Sequence, residues 1–136
     1  RDGELAQLTK DHSLLQEQID AGMITVEDAR HSQNKNLVTR ALGVDPEVET
    51  EIHDHDALPG DIFLLCSDGL NDMVEDEETA MTLQVLGANL ELAATQLIQM
   101  ANDNGGRDNV SVILVKVLRE FPAAKGWWAK LLNWFK

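Results

Sequence analysis

The sequence is poor in cysteine and in aromatic residues. Its 136 residues include one cysteine, Cys66, so a disulfide framework within the chain is excluded. Cys66 lies inside an apolar run, where we expect a small buried thiol. Aromatic residues make up 4% of the chain and tyrosine is absent, although hydrophobic residues reach 43%. These values favour one compact domain with an aliphatic core.

Basic residues are also scarce. The chain has 11 Lys and Arg against 24 Asp and Glu, a net charge of −13, and no Lys or Arg lies between Arg40 and Arg107. Residues 116–136 carry +4, which leaves −17 for residues 1–115. Such a surface repels phosphate backbones, so nucleic-acid binding by the body is disfavoured, whereas divalent cations and basic partners suit it. No run of 18 apolar residues and no signal-peptide pattern is present, and we expect a cytoplasmic protein.

Apolar spacing and capping residues predict short helices and strands. The most regular pattern follows Asn89, where apolar residues recur at helical spacing from Leu90 to Ala101. The continuous apolar runs Ile62–Cys66 and 110–117 are typical of strands buried on both faces. Strands and helices do not alternate regularly, which indicates an α+β fold with antiparallel pairing. Further helices are predicted at 13–19, 25–31 and 76–86, the last capped by Asp76, and further strands at 4–9, 37–42 and 48–52.

Two carboxylates flank the strongly apolar strands. Asp68 follows the first strand and Asp108 precedes the second, each close to glycine. If the strands are antiparallel neighbours, both carboxylates lie at one edge of the sheet, where their mutual repulsion favours a shared proton or a hard cation such as Mg²⁺ or Mn²⁺. The alternative is that both are turn residues that cap their own loops. The run 53–56 (HDHD) is a weaker metal candidate, more typical of a solvated loop.

Five ordered motifs resemble the metal-dependent protein phosphatases, the type 2C serine/threonine family (PPM), in its bacterial branch. Together they cover about residues 3–118. The motifs are 8–13 (LTKDHS), 22–25 (GMIT), 39–43 (TRALG), 60–70 (GDIFLLCSDGL) and 105–112 (GGRDNVSV).

This resemblance implies a fold, a site and an activity. The implied fold is an antiparallel β-sandwich flanked by helices, with four layers in the order αββα. The implied site holds two or more Mg²⁺ or Mn²⁺ ions, with Asp68 and Asp108 as ligands and Asn109 supporting the Asp108 loop. The implied activity is hydrolysis of phosphoserine and phosphothreonine in proteins by a metal-activated water. Phosphorylated proteins and a serine/threonine kinase are the implied partners, and residues 12–40 correspond to a flap beside the active site.

The first half of the family's domain has no counterpart in this sequence. The motifs therefore indicate that residues 1–118 are only the C-terminal half of a phosphatase domain, which we expect to be inactive alone. The alternative is a truncated, non-catalytic module that binds a phosphoprotein or a kinase. Half a sandwich exposes apolar sheet surface, so we also expect a tendency to dimerise.

The last segment, residues 119–136, differs in composition from the rest and is called the tail below. It contains all three tryptophans, Trp127, Trp128 and Trp134, interspersed with lysine. At helical spacing the aromatic and leucine side chains can share one face, which suits a bilayer interface but is too short to span one. The tail therefore predicts contact with the inner membrane surface or a partner, or packing on its own domain.

Overall fold

The secondary structure consists of five short helices and two strands in the part of the chain that is described. The computed structural model describes residues 1–30, 32, 37–43 and 46–120. Across these residues, no helix has both the length and the apolar character needed to cross a bilayer. The chain divides into one unit made of Arg1–Leu5 with the residues from His55 onward, and a second unit, Ala6–Asp54. The elements in chain order are α1 (Leu14–Asp20), α2 (Val26–Arg30), β1 (Ile62–Cys66), α3 (Asp68–Asn71), α4 (Asp76–Leu86), α5 (Leu90–Asp103) and β2 (Val112–Lys116).

The first unit is built on an antiparallel pair of strands. Strand β1 pairs with β2 in a register that sets Ile62 opposite Lys116 and Cys66 opposite Val112. This confirms the α+β class and the antiparallel pairing of the two apolar runs. One face of the sheet supplies side chains that pack against α5 and its neighbours, namely Ile62, Leu64, Val112 and Leu114.

Helix α5 forms the centre of the core. Its Ala93, Leu97 and Ala101 are fully buried, as their helical spacing predicted. The Asn89 side chain accepts a hydrogen bond from the Leu92 N–H at 3.1 Å, which confirms the predicted cap. Helix α4 covers the predicted range, but its N-cap residue is Glu75, whereas Asp76 was predicted to be the cap.

The opposite face of the sheet is open. Leu65 is 55% exposed and its partner Ile113 is 60% exposed, while Val115, opposite Phe63, is 49% exposed. The prediction that both strands are buried on both faces is therefore wrong for the described residues. The predicted burial of Cys66 is also wrong, since its side chain lies exposed at the end of β1. An apolar run shows that a strand suits burial on both faces. Whether both faces are buried depends on other residues that pack against them.

Asp61 is the one buried acidic side chain among the described residues. Arg1 donates from Nε to Oδ1 and from Nη2 to Oδ2, both at 2.7 Å, and the Leu58 N–H donates to Oδ2 at 2.7 Å. These donors, Arg1 first, hold the pKa of Asp61 well below its usual range. Next to it, Asp2 and Gly3 form a turn, with positive φ at both residues and a hydrogen bond from the Glu4 N–H to the Arg1 carbonyl.

The second unit holds the two predicted short helices. The Ser13 hydroxyl caps α1 by accepting from the Gln16 N–H at 3.2 Å. Thr25 and Asp28 form a capping box at the start of α2, with bonds of 3.1 and 3.2 Å between side chains and backbone N–H groups. Residue 31, the predicted end of α2, lies outside the described residues. The segment expected to correspond to a flap, 12–40, falls within this unit.

An ion-pair cluster connects distant parts of the second unit. The Arg40 guanidinium donates to Glu51 Oε1 at 2.9 Å, and His12 Nε2 lies 3.2 Å from the same oxygen. His53 Nε2 is 3.5 Å from the other Glu51 oxygen. Hydrogen bonds from His12, Arg40 and His53 lower the pKa of Glu51 to about 2. The cluster therefore links Arg40, Glu51 and His53 to His12, just before α1.

Three predicted strands are absent from the described residues. Residues 4–9 and 48–52 have no strand structure, and 37–42 makes isolated bridges, such as that between Val38 and Ser13, but no strand. Each segment has the alternation or composition of a strand, but a strand also requires a hydrogen-bonding partner. Residues 121–136 of the tail lie outside the described residues.

Candidate metal centre

The sheet register places two loops at one edge. Because Cys66 is opposite Val112, the residues that follow β1 and those that precede β2 leave the sheet at the same end. Asp68 is the first residue of α3, two positions after β1, and Asp108 lies four positions before β2. The two carboxylates predicted from the sequence are thus carried by adjacent loops, which together are called the rim.

Ser67 fastens these two loops to each other. Its hydroxyl donates to the Asn109 carbonyl at 2.8 Å and accepts from the Ser111 N–H at 2.9 Å. Its backbone N–H donates to the Ser111 carbonyl at 3.1 Å. A serine before a short helix ordinarily caps it, but Ser67 makes no such bond because its hydroxyl is used across the rim. Three hydrogen bonds of one residue therefore fix the spacing of the loops.

Gly69 allows the loops to approach closely. A Cβ at this position would lie 2.5 Å from the Asn109 carbonyl oxygen and 3.4 Å from the Asp108 carbonyl carbon. Only glycine fits this contact without displacement of the backbone, as predicted for a glycine beside Asp68. At the other loop the glycines act differently, since Gly105 and Gly106 have φ of 133° and 52°, conformations that other residues rarely adopt.

Both carboxylates are exposed and use one oxygen locally. Asp68 Oδ1 accepts from the Gly69 N–H at 2.9 Å, and Asp108 Oδ1 accepts from the Asn109 N–H at 2.6 Å. These are the turn-stabilising bonds that the alternative interpretation predicted. No ion pair involves either carboxylate among the described residues, so both charges face solvent without a protein cation. The second oxygen of each remains available to a ligand.

The chemistry of this donor set fits a hydrated hard cation. Two exposed carboxylates on fixed loops suit Mg²⁺ or Mn²⁺, which take oxygen ligands and keep several waters. Within the described ranges, no group of three or more His, Cys, Asp and Glu side chains converges on a metal position, at the rim or in the 53–56 run. The described chain therefore offers two ligands at most to one ion, which is a weak site.

Residues other than the carboxylates determine the rim, and sequence reasoning missed the most important one. Ser67 showed no signal beyond its place in the motif, where an N-cap was the ordinary interpretation. Asn109 was expected to support the Asp108 loop, and its backbone N–H and carbonyl make the contacts described above.

Nearby, partial burial and the Asp68 charge raise the pKa of the Cys66 thiol.

Comparison with known proteins agrees with the motifs. Residues 10–118 match the family described as Stage II sporulation protein E (SpoIIE). The serine/threonine protein phosphatase PstP of Mycobacterium tuberculosis is 42% identical over 118 residues, which are 87% of this chain and 22% of PstP. The chain therefore belongs to the SpoIIE family. The phosphatase names of its relatives confirm the predicted resemblance to the PPM phosphatases.

Solved structures share its fold. A serine/threonine phosphatase from S. agalactiae is 38% identical with a TM-score of 0.80, over 86% of this chain and 48% of that protein. The catalytic domain of PstP, solved in complex with two manganese ions, is 42% identical with a TM-score of 0.73, over 87% of this chain and 47% of that domain. The chain thus spans about half, or less, of the length of these relatives.

Proposed function

We propose that residues 1–118 form the second half of a metal-dependent protein serine/threonine phosphatase domain. The observation that carries this proposal is the rim, where Ser67 and Gly69 hold the loops of Asp68 and Asp108 together. The family match over residues 10–118 and the phosphatase names of the relatives support the activity. A non-catalytic binding module receives no separate support from the structure.

Asp68 and Asp108 are the proposed metal ligands of this half. When bound, Mg²⁺ or Mn²⁺ lowers the pKa of a coordinated water, which supplies the nucleophile for hydrolysis of a phosphoserine or phosphothreonine ester. The protein's part is to hold two ligand oxygens at a fixed spacing, through Ser67 and the Gly69 contact. The manganese found in the PstP catalytic domain supports this choice of metal. The substrates are phosphorylated proteins, and the opposing enzyme is a serine/threonine kinase.

The open face of the sheet supports the four-layer sandwich as the fold of the whole domain. Leu65, Ile113 and Val115 form a broad exposed apolar strip, together with the half-buried Phe63. In a sandwich a second sheet covers such a face at about 10 Å. In the chain by itself the same strip favours pairing of two copies.

Residues 1–118 and the tail have separate roles in the proposed cellular setting. We infer that residues 1–118 act in the cytoplasm, where bacterial kinases and their phosphorylated substrates are found, and that the tail, 119–136, is a separate segment. Its clustered tryptophans and lysines support attachment to the inner membrane surface or to a partner.

Activity of a longer chain tests this proposal. The 136-residue chain and one extended at its N-terminus by any residues that its gene encodes before Arg1 are compared on a phosphothreonine peptide with Mn²⁺. We expect hydrolysis by the extended chain and none by the shorter one. In the extended chain Asp108→Asn lowers kcat/KM by about 100-fold or more. The matched control is Asp103→Asn, at the exposed end of α5.

Two results would contradict the proposal. The first is full activity of the 136-residue chain, which would mean that two ligands suffice. The second is an extended chain that folds and binds Mn²⁺ but hydrolyses no phosphorylated peptide or small phosphomonoester.

A further inference from the structure

We propose that Asn104 is a positioning residue of the rim, because its side-chain amide ties the loop of Asp108 to the segment that follows α3. This tie helps to fix the distance between Asp108 and Asp68. It stands on hydrogen bonds and burial within the first unit, and only its consequence for metal binding rests on the proposed function.

Asn104 lies where helix α5 ends and the loop of Asp108 begins. It is the C-cap residue of α5, and its backbone N–H donates to the Met100 carbonyl at 2.9 Å. The last turn of the helix is firmly placed, because Ala101 is fully buried in the core. The Asn104 side chain is exposed, so burial does not orient it. Its orientation therefore depends on the hydrogen bond that it makes.

That hydrogen bond reaches a different element of the first unit. Asn104 Nδ2 donates to the Met73 carbonyl at 2.7 Å, although the two residues are 31 positions apart. Met73 follows α3, and its own N–H donates to the Leu70 carbonyl at 3.0 Å. Leu70 and Val74 are almost completely buried, which fixes this part of the backbone in the core. The bond therefore joins two positions that are each held by the core.

The two glycines after Asn104 make such a tie important. Glycine gives the backbone unusual conformational freedom, and Gly105 and Gly106 both have positive φ. Their N–H groups donate back to carbonyls of α5 at 3.1 and 3.0 Å, so these bonds do not connect the loop to α3. A Cβ on residue 105 would lie 3.9 Å from Met73 Sδ, an ordinary packing distance. The Asn104 amide thus supplies the directional contact between this end of the loop and the segment after α3.

Two ties at opposite ends close a ring of chain that carries both carboxylates. Ser67 precedes α3 and is bonded to the far end of the loop, whereas Asn104 begins the loop and is bonded to the segment after α3. Asp68 lies between the two ties on one side of the ring, and Asp108 lies between them on the other. With Ser67 alone, the loop would pivot about one attachment. A closed ring favours binding of one ion by both carboxylates, because less conformational freedom is lost on binding.

Amide hydrogen exchange in the metal-free 136-residue chain tests the tie. The Asn109 N–H donates to Asp108 Oδ1 and reports on the order of the loop. In Asn104→Ala the Met73 carbonyl loses its donor, and we expect exchange of the Asn109 N–H to become about tenfold faster. Exchange in the middle of β2 should change far less. Asn104→Gln keeps an amide donor and should restore most of the protection.

Mn²⁺ binding separates a positioning role from a role of charge. Titration of the 136-residue chain with Mn²⁺, followed by water proton relaxation, should show an affinity about fivefold weaker for Asn104→Ala. Asn104→Asp turns the donor into an acceptor that faces the Met73 carbonyl, and it also adds a negative charge near the rim. If spacing decides the affinity, this variant binds Mn²⁺ no better than Asn104→Ala, whereas a role of charge predicts tighter binding.

A double variant tests whether the two ties close one ring. Ser67→Ala combined with Asn104→Ala should weaken Mn²⁺ binding by less than the product of the two single effects, since either substitution opens the same ring. Gln99→Ala is the matched control, because it removes an exposed amide of the same helix whose 2.7 Å bond goes to Asp103 within α5. It should leave both exchange and Mn²⁺ affinity unchanged.

Three results would overturn the proposal. One is unchanged exchange of the Asn109 N–H in Asn104→Ala, or the same change in Gln99→Ala. Another is tighter Mn²⁺ binding by Asn104→Asp than by the original chain. The third is an equal rise in exchange throughout α5 and β2, which would show a contribution to general stability only. The exchange measurement contains no metal, so it decides the tie separately. An original chain that binds no Mn²⁺ would instead contradict the proposed metal ligands.

Discussion

Gly69 and Asn109 lie backbone against backbone, so closely that a Cβ on residue 69 would come within 2.5 Å of the Asn109 carbonyl oxygen. This contact joins the turn that follows β1 to the loop that precedes β2. Each of these loops carries one acidic residue, Asp68 or Asp108. The spacing of the two acidic residues is therefore set by backbone packing and by the hydrogen bonds of Ser67.

Gly69→Ala should force the two loops apart. The added methyl meets backbone atoms that cannot rotate away, so we expect a loss of about 1–3 kcal/mol in the free energy of unfolding and weaker Mn²⁺ binding. Urea denaturation and calorimetric titration measure the two effects. Gly60→Ala is the control, since residue 60 has positive φ but open space around it. It should cost stability through backbone strain without weakening Mn²⁺ binding, and an equal loss of Mn²⁺ affinity in both variants would contradict the account.

Ser67→Ala should loosen the rim while leaving the strands paired. The substitution removes the hydroxyl that donates to the Asn109 carbonyl and accepts from the Ser111 N–H, with an expected cost of roughly 1–2 kcal/mol. Amide hydrogen exchange at residues 109 and 111 should speed up more than exchange in the middle of β2. Ser111→Ala keeps the hydrogen bonds between Ser67 and Ser111, because Ser111 takes part only through its backbone. This variant should behave like the original chain.

The rim and helix α5 show what could be predicted from the sequence and what could not. The placement of Asp68 and Asp108 on loops at one end of the sheet was predictable because two long apolar runs identify neighbouring strands, and the register confirms that pairing. Helix α5 was predictable because its cap and its apolar spacing are both local signals. The role of Ser67 was not predictable, since its partners are more than 40 positions away in the chain.

The failures have a common physical cause. Cys66 was predicted to be buried, and residues 4–9 and 48–52 were predicted to be strands, from patterns that describe suitability for a covered or paired position. Cys66 shares the covered face with Leu64 but lies at the end of β1, so its burial depends on residues that cover this end of the strand, and strand formation depends on a hydrogen-bonding neighbour. Among the described residues neither requirement is met. Whether Asp68 and Asp108 bind a metal remains a prediction.

Acid should destabilise the second unit through Glu51. Its pKa is lowered from 4.5 to about 2 in the folded protein, so its contribution to stability is fully present above about pH 4.5 and is lost as the pH falls toward 2. Glu51→Gln should remove this part of the pH dependence and lower stability at pH 7. Urea denaturation from pH 7 to pH 2.5 provides the measurement. Glu49→Gln, at the more exposed acidic partner of Arg40, should leave the pH dependence in place.

The open sheet face should control self-association of the 136-residue chain. Because Leu65 and Ile113 are paired and mostly exposed, replacing both with Ser removes apolar surface without emptying the core. We expect sedimentation velocity to show less dimer for the double variant than for the original chain. Met81→Ser with Val85→Ser, on the exposed side of α4, is the matched control. Equal loss of dimer in both pairs would locate self-association elsewhere.

The central claim is that Asp68 and Asp108 together bind a divalent cation, and paramagnetic broadening by Mn²⁺ tests it most directly. At substoichiometric Mn²⁺ we predict that the amide resonances of Gly69 and Asn109 broaden first. Asp68→Asn and Asp108→Asn should each abolish the effect at both positions, while Asp72→Asn should not. Broadening centred on the acidic start of α4, or broadening at Gly69 that persists in the Asp108→Asn variant, would contradict a shared site.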